Sequence, residues 1–218
     1  MFKRLLTIIL ILLTLAAMPA QANAQAEYSF TVPKMTVDAY WNEDGSLSLD
    51  YSFYFVNDNT GHIIDYVDLG LPGPDYDINS ITAFVNGQQV DYISASDFQG
   101  EGAYGVAIGT SPYEIGPGSS GVVQISVGSI KNVLYQASEG DNYASAVLKP
   151  AYFTSATSSG TTDLTVTFHL PPGVTEDEPR YYVAPSGFPE TPESGFDSEG
   201  RIYYRWRNPD ARPFTQYE

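Results

Sequence analysis

Between Ser46 and Phe55 the chain reads SLSLDYSFYF: Leu47, Leu49, Tyr51, Phe53 and Phe55 take every second position, with Ser46, Ser48, Asp50, Ser52 and Tyr54 between them. A period of two puts the first set on one face of an extended strand and the second on the other. Five large apolar side chains on one strand face must be covered. The strand therefore belongs to a sheet packed against a second layer.

The neighbouring residues supply turns. Asn42-Glu43-Asp44-Gly45 offers the positive φ of Asp-Gly and predicts a hairpin with residues 35–40. Asn86-Gly87 predicts a second hairpin between 78–85 and 88–93. Further strands are predicted at 63–69, 104–108, 122–130, 143–148, 162–170, 180–183 and 201–206, separated by turn-rich breaks such as 115–121. In 162–170 the alternation places Leu164, Val166, Phe168 and Leu170 in the core beside Phe53, and Thr165, Thr167 and His169 toward solvent. Ile130, Val133, Leu134 and Ala137 fall at helical spacing, so one helical turn is expected there. About eleven short strands without a long helix predict an all-β sandwich with immunoglobulin-like Greek-key wiring. A barrel is the alternative. Residues 171–200, with six prolines and seven acids, form the one long irregular segment, which is either functional or loosely packed.

The chain opens with a different pattern. Lys3 and Arg4 precede the apolar stretch LLTIILILLTLAA at 5–17, then Pro19 and the small residues Ala20, Ala22, Ala24 and Ala26. These are the parts of a secretory signal peptide, with overlapping A-x-A cleavage sites. At about 1.5 Å per helical residue, the 13-residue stretch spans roughly 20 Å, short of the 30 Å or so of a bilayer core. Cleavage after Ala24 is expected, with Ala26 the second choice. That gives a signal peptide at 1–24, a single domain at 25–218, and a secreted or envelope-exterior location without membrane insertion of the mature chain.

Composition narrows the function classes. Removing Lys3 and Arg4 leaves 8 basic residues against 26 acidic, a net charge of −18. Such a surface repels phosphate backbones and anionic lipid headgroups, so no nucleic-acid partner is expected. The absence of cysteine excludes disulfides, thiolate metal sites and cysteine nucleophiles. Stability must come from the apolar core, for which 17 Tyr, 11 Phe and 2 Trp provide large burial.

No residue is assigned a catalytic, cofactor or metal role, and no cofactor is expected. His62 and His169 are the only histidines, too few for a three-ligand zinc site without two carboxylates. No G-x-S-x-G, S-x-x-K or H-E-x-x-H occurs. Asp75-x-Asp77-x-Asn79 resembles the opening of a calcium loop but has Ser80 at the sixth position and Asn86 at the twelfth. Such turns also form without an ion. In 201–207 (RIYYRWR), Ile202, Tyr204 and Trp206 face one way, and Arg201, Tyr203, Arg205 and Arg207 the other. The strip is read as cross-strand pairing with carboxylates, or alternatively as a docking strip for an anionic partner.

DGSLSLDYSF (44–53), GHIIDYVDLGLP (61–72), DLTVTFHLPPGV (163–174) and APSGFPETPESGFDSEGRIYYRWRN (184–208) resemble a family of uncharacterised prokaryotic predicted membrane proteins. Its members carry an exported N-terminal β domain ahead of a transmembrane helix, and some end in a zinc-ribbon tail. The resemblance implies an exported β domain and no activity. This sequence lacks a second apolar segment and the ribbon cysteines. It is expected to be a released version or a piece of a longer protein.

Three functions follow from these readings. The first is a non-catalytic envelope or extracellular interaction or structural module with a protein or glycan partner. The second is a carbohydrate-binding module, favoured by three or more coplanar Tyr or Trp rings on one sheet face. The third is a secreted hydrolase, favoured by convergent carboxylates or a histidine–serine contact.

Overall fold

The computed structural model describes residues 27–96, 104–138 and 143–218. The expected signal peptide and its cleavage sites lie outside the described residues. The strands are β1 (Phe30–Trp41), β2 (Leu47–Asn57), β3 (Tyr66–Leu71), β4 (Asp75–Tyr76), β5 (Thr82–Val85), β6 (Gln88–Val90), β7 (Ile93–Ala95) and β8 (Tyr104–Gly109). After them come β9 (Ser120–Lys131), β10 (Leu134–Gln136), β11 (Ala144–Ala146), β12 (Ser158–Ser159), β13 (Thr162–His169), β14 (Glu193–Phe196) and β15 (Ile202–Ala211).

The first hairpin forms as its sequence requires. β1 and β2 pair antiparallel with Met35 opposite Phe53 and Val37 opposite Tyr51. Gly45 takes φ 79° in the turn, and the Asp44 carboxylate accepts hydrogen bonds from the Ser46 amide and hydroxyl. The main sheet runs β14-β15-β13-β1-β2-β9-β5-β6, while β3-β8-β7 forms a second sheet. The chain passes repeatedly between the two, so most neighbours in the main sheet are not consecutive in sequence. β13 lies parallel to β1, with Leu164 beside Met35 and Val166 beside Val37.

Both sheets contribute to one core: Val37, Leu49, Phe53, Ile125 and Leu164 from the first, and Leu69, Val106 and Ile108 from the second. The fold is an all-β sandwich, with no sheet closed into a barrel. Phe53 is completely buried against Tyr51, Phe55 and Phe153. Phe168 packs against the edge of the core but is only half-buried, its ring edge-on to Trp206.

Four details differ from the sequence reading. Residues 78–80 form a single 3-10 turn, because the Asp77 carboxylate caps it at the Asn79 amide. No helical turn forms near 130–137: β9 continues to Lys131, Asn132 turns at φ 58°, and β10 follows. Residues 180–183 are not a strand but lie against β15, where Tyr181 meets Tyr204 and Trp206. The irregular segment 171–200 contains the edge strand β14. The strands missed in sequence, β4, β7, β10, β12 and β14, have two to four residues, too few to show a period.

Candidate functional site: the polar face of the main sheet

The face of β1, β2, β13 and β15 turned away from the core carries ordered rows of polar side chains. Asp50, Asp38, Thr167, Arg205 and Glu193 stand opposite one another across β2, β1, β13, β15 and β14. The next row holds Ser52, Thr36, Thr165 and Arg207. On the other side come Ser48, Tyr40, His169 and Tyr203. Strict alternation places all of them on one face.

A depression of about 570 Å³ lies over the first two rows. Thr36 and Asp38 of β1, Thr165 and Thr167 of β13, and Arg205 and Arg207 of β15 line it, with Glu193 and Pro189. Its volume falls within the range of small-ligand sites, roughly 300–1,000 Å³. All but Pro189 project from strands, which hold them more firmly than a loop would.

The arginine strip is paired. Arg207 Nε and Nη2 donate to the two Asp163 carboxylate oxygens at 2.7 and 2.8 Å, a fork-to-fork contact that holds the Asp163 carboxyl below the usual range. Arg205 Nη1 lies 3.3 Å from Glu193 Oε1, with its guanidinium 4.8 Å over the Tyr203 ring. Arg201 Nε sits 3.2 Å from Glu199 Oε2. Arg205 and Arg207 thus pair across strands, as read from the sequence, whereas Arg201 meets a carboxylate of its own turn.

His169 corrects the sequence reading. It is on the polar face, as the alternation requires, but it is buried, only 6% exposed, and so does not look out to solvent. The β14–β15 turn and Tyr40 account for this: Nδ1 is 2.8 Å from Asp197 Oδ2, and the Tyr40 ring stacks on the imidazole at 4.2 Å. Nε2 is 3.4 Å from Asp38 Oδ1. Burial pushes the His169 pKa down, but the hydrogen bonds and charges of Asp38 and Asp197 outweigh it, leaving the value above the ordinary one. Burial likewise favours a protonated Asp197; the Arg201 amide, His169 and the Glu199 amide overcome it and hold that carboxyl below its usual range. Burial, then the charges of Asp38 and Asp50, push the Tyr40 phenol up.

Asp38 and Asp197 are the partners that sequence reading missed. They lie 131 and 28 residues from His169. Asp38 has no local signal, since one carboxylate among 26 in a polar alternation looks like any other. Asp197 has a weak one, the Asp197-x-x-Gly200 turn, where its Oδ1 accepts from the Glu199 and Arg201 amides.

The remaining candidates do not converge. His62 lies near the start of β1, its ring against Tyr28, whereas His169 is opposite Tyr40 near the end of that strand. Asp75 accepts from Asn132, while Asp77 binds the Asn79 amide and side chain. Among the described residues no group of three or more His, Asp or Glu gathers as metal ligands would. Both His169 nitrogens face carboxylates, so no hydroxyl is activated there. No three Tyr or Trp rings in mutual contact lie parallel among the described residues; Tyr181, Tyr204 and Trp206 are mutually tilted or edge-on.

No protein-family model and no curated protein matches the chain. Among solved structures it is similar to an M1 zinc metallopeptidase from Deinococcus radiodurans, with 15% identity and a TM-score of 0.42 over 86% of this chain and 41% of that one. It is also similar to Legionella pneumophila aminopeptidase A in complex with aspartic acid, with 10% identity and a TM-score of 0.48 over 88% of this chain and 21% of that one. The chain thus spans less than half the length of these proteins. Likenesses this distant carry no chemistry to it.

Proposed function

We propose that the chain is an exported, non-catalytic interaction module whose binding surface is the polar depression over β1, β13 and β15. The observation that carries this reading is the pairing of its charges. Arg205 is held by Glu193 and Arg207 by Asp163, and His169 is committed to Asp38 and Asp197. Groups occupied in this way form a firm, hydrogen-bonding surface rather than a reacting centre with a free base and nucleophile. The signal-like segment at 1–24 and the resemblance to exported β domains support export. The net charge of −18 without Lys3 and Arg4 favours neutral or cationic partners over nucleic acid and anionic membranes.

Retention on isolated cell envelopes tests the reading. Thr165, half-buried on the floor of the depression, is replaced by arginine to fill it. The wild-type chain is expected to sediment with envelopes and the equally folded Thr165→Arg variant to remain in solution. Equal retention of both, or none of the wild type, contradicts the proposal.

A further inference from the structure

We infer that His169 controls the charge of the depression: its Nε2 proton holds Asp38 against the sheet, and loss of that proton frees the Asp38 carboxylate into the depression. This rests on reading the depression as the binding surface. An imidazole that serves two carboxylates must carry two N–H groups, and a neutral ring has only one. The two contacts are unequal. Asp197 lies at 2.8 Å with its side chain 13% exposed, and its other oxygen is fixed by two backbone amides. Asp38 lies at 3.4 Å with its side chain 36% exposed, in the wall of the depression. The single proton of the neutral ring therefore stays with Asp197. The Nε2 lone pair is left facing a carboxylate, and Asp38 has the room to turn away.

The surrounding charges do not substitute for the imidazolium. Tyr40 stacks on His169 from β1, Asp50 stands opposite Asp38 on β2, and Tyr203 flanks the ring from β15. Arg201 lies over Tyr40, 3.2 Å from Glu199, and lines a separate depression with Asn42 and Asp44, while Arg205 lies over Tyr203 and is held by Glu193. With His169 charged, each carboxylate lining the depression has a cationic partner. With His169 neutral, Asp38 has none, and the depression gains a negative charge. A partner presenting a lysine or arginine side chain is then held more tightly at higher pH.

Nitrogen-15 and carbon-13 NMR of the labelled full chain, with no partner present, tests this. The expected result is a His169 midpoint above about 6.5, the ordinary histidine value. Nε2 should lose its proton while Nδ1 keeps its own, and the Asp38 carboxyl carbon should shift in the same step. Asp38→Asn should lower the midpoint and leave the Nδ1–H contact in place. A midpoint at or below about 6.5, deprotonation at Nδ1, or a static Asp38 signal overturns the inference. Because no ligand is used, failure here leaves envelope retention standing, and loss of retention leaves the titration standing.

Discussion

His169 Nδ1 lies 2.8 Å from Asp197 Oδ2, and this contact fastens the β14–β15 turn to the end of β13. The edge of the main sheet is thereby tied to its interior by a charged pair covered by Tyr40.

Stability should depend on pH in a way set by this pair. The His169 pKa is raised in the fold, so its contribution is fully present below the unfolded value near 6.5 and is lost as pH rises through the folded value. The Asp197 pKa is lowered, so its contribution is present above about 3.9 and is lost as pH falls through the folded value. Denaturant midpoints measured against pH should therefore peak between about 4 and 6.5. His169→Gln should flatten the alkaline fall. An unchanged alkaline limb in that variant contradicts the assignment.

The core register gives a sharper contrast. Phe53 is completely buried, and Ser52, its neighbour on the opposite face, is half-buried in the polar row. Phe53→Ala should cost about 3–5 kcal/mol, whereas Ser52→Ala should stay within roughly 0.5 kcal/mol. Equal shifts in denaturant midpoint would show the register to be wrong.

Two glycines should behave oppositely. A methyl group at Gly61 would lie 2.5 Å from Asn57 Oδ1 and 2.7 Å from the Ser29 carbonyl oxygen. Asn57 is buried and donates to the carbonyls of His62 and Ile115, so it has little freedom to yield. Gly61→Ala should destabilise by about 1–3 kcal/mol. Gly116 has nothing within 4 Å of that position and no positive φ, so Gly116→Ala should be neutral or slightly stabilising, and thermal melts of both variants check the contrast.

The proposed export makes a prediction at the other end of the chain. Intact-mass analysis of the exported protein should give a chain beginning at Gln25 or Glu27. Retention of Met1 on a membrane-bound product contradicts cleavage.

The long strands were legible because they alternate over many residues, and each alternation fixes both a face and a layer. Leu47 to Phe55 are buried at every second position, as the sequence requires. The tight turns were legible where glycine or asparagine must take positive φ, as at Gly45, Asn86 and Gly87. What stayed hidden depends on contacts distant in sequence. The parallel pairing of β1 with β13 brings Asp38 opposite Thr167 and beside His169. No local pattern announces a parallel neighbour more than a hundred residues away. The burial of His169 was missed for the same reason, since alternation assigns a face but not what a later turn lays across it.

The central claim is that the polar depression is the surface this domain uses. Carbodiimide labelling of carboxylates, with and without isolated envelopes, tests it most directly. Asp38 and Glu193, which line the depression, should be protected when envelopes are present, while the exposed Asp58 and Asp91 elsewhere on the chain should react as before. Protection of Asp58 or Asp91 with Asp38 and Glu193 still reactive would place the interaction on another face and contradict the account.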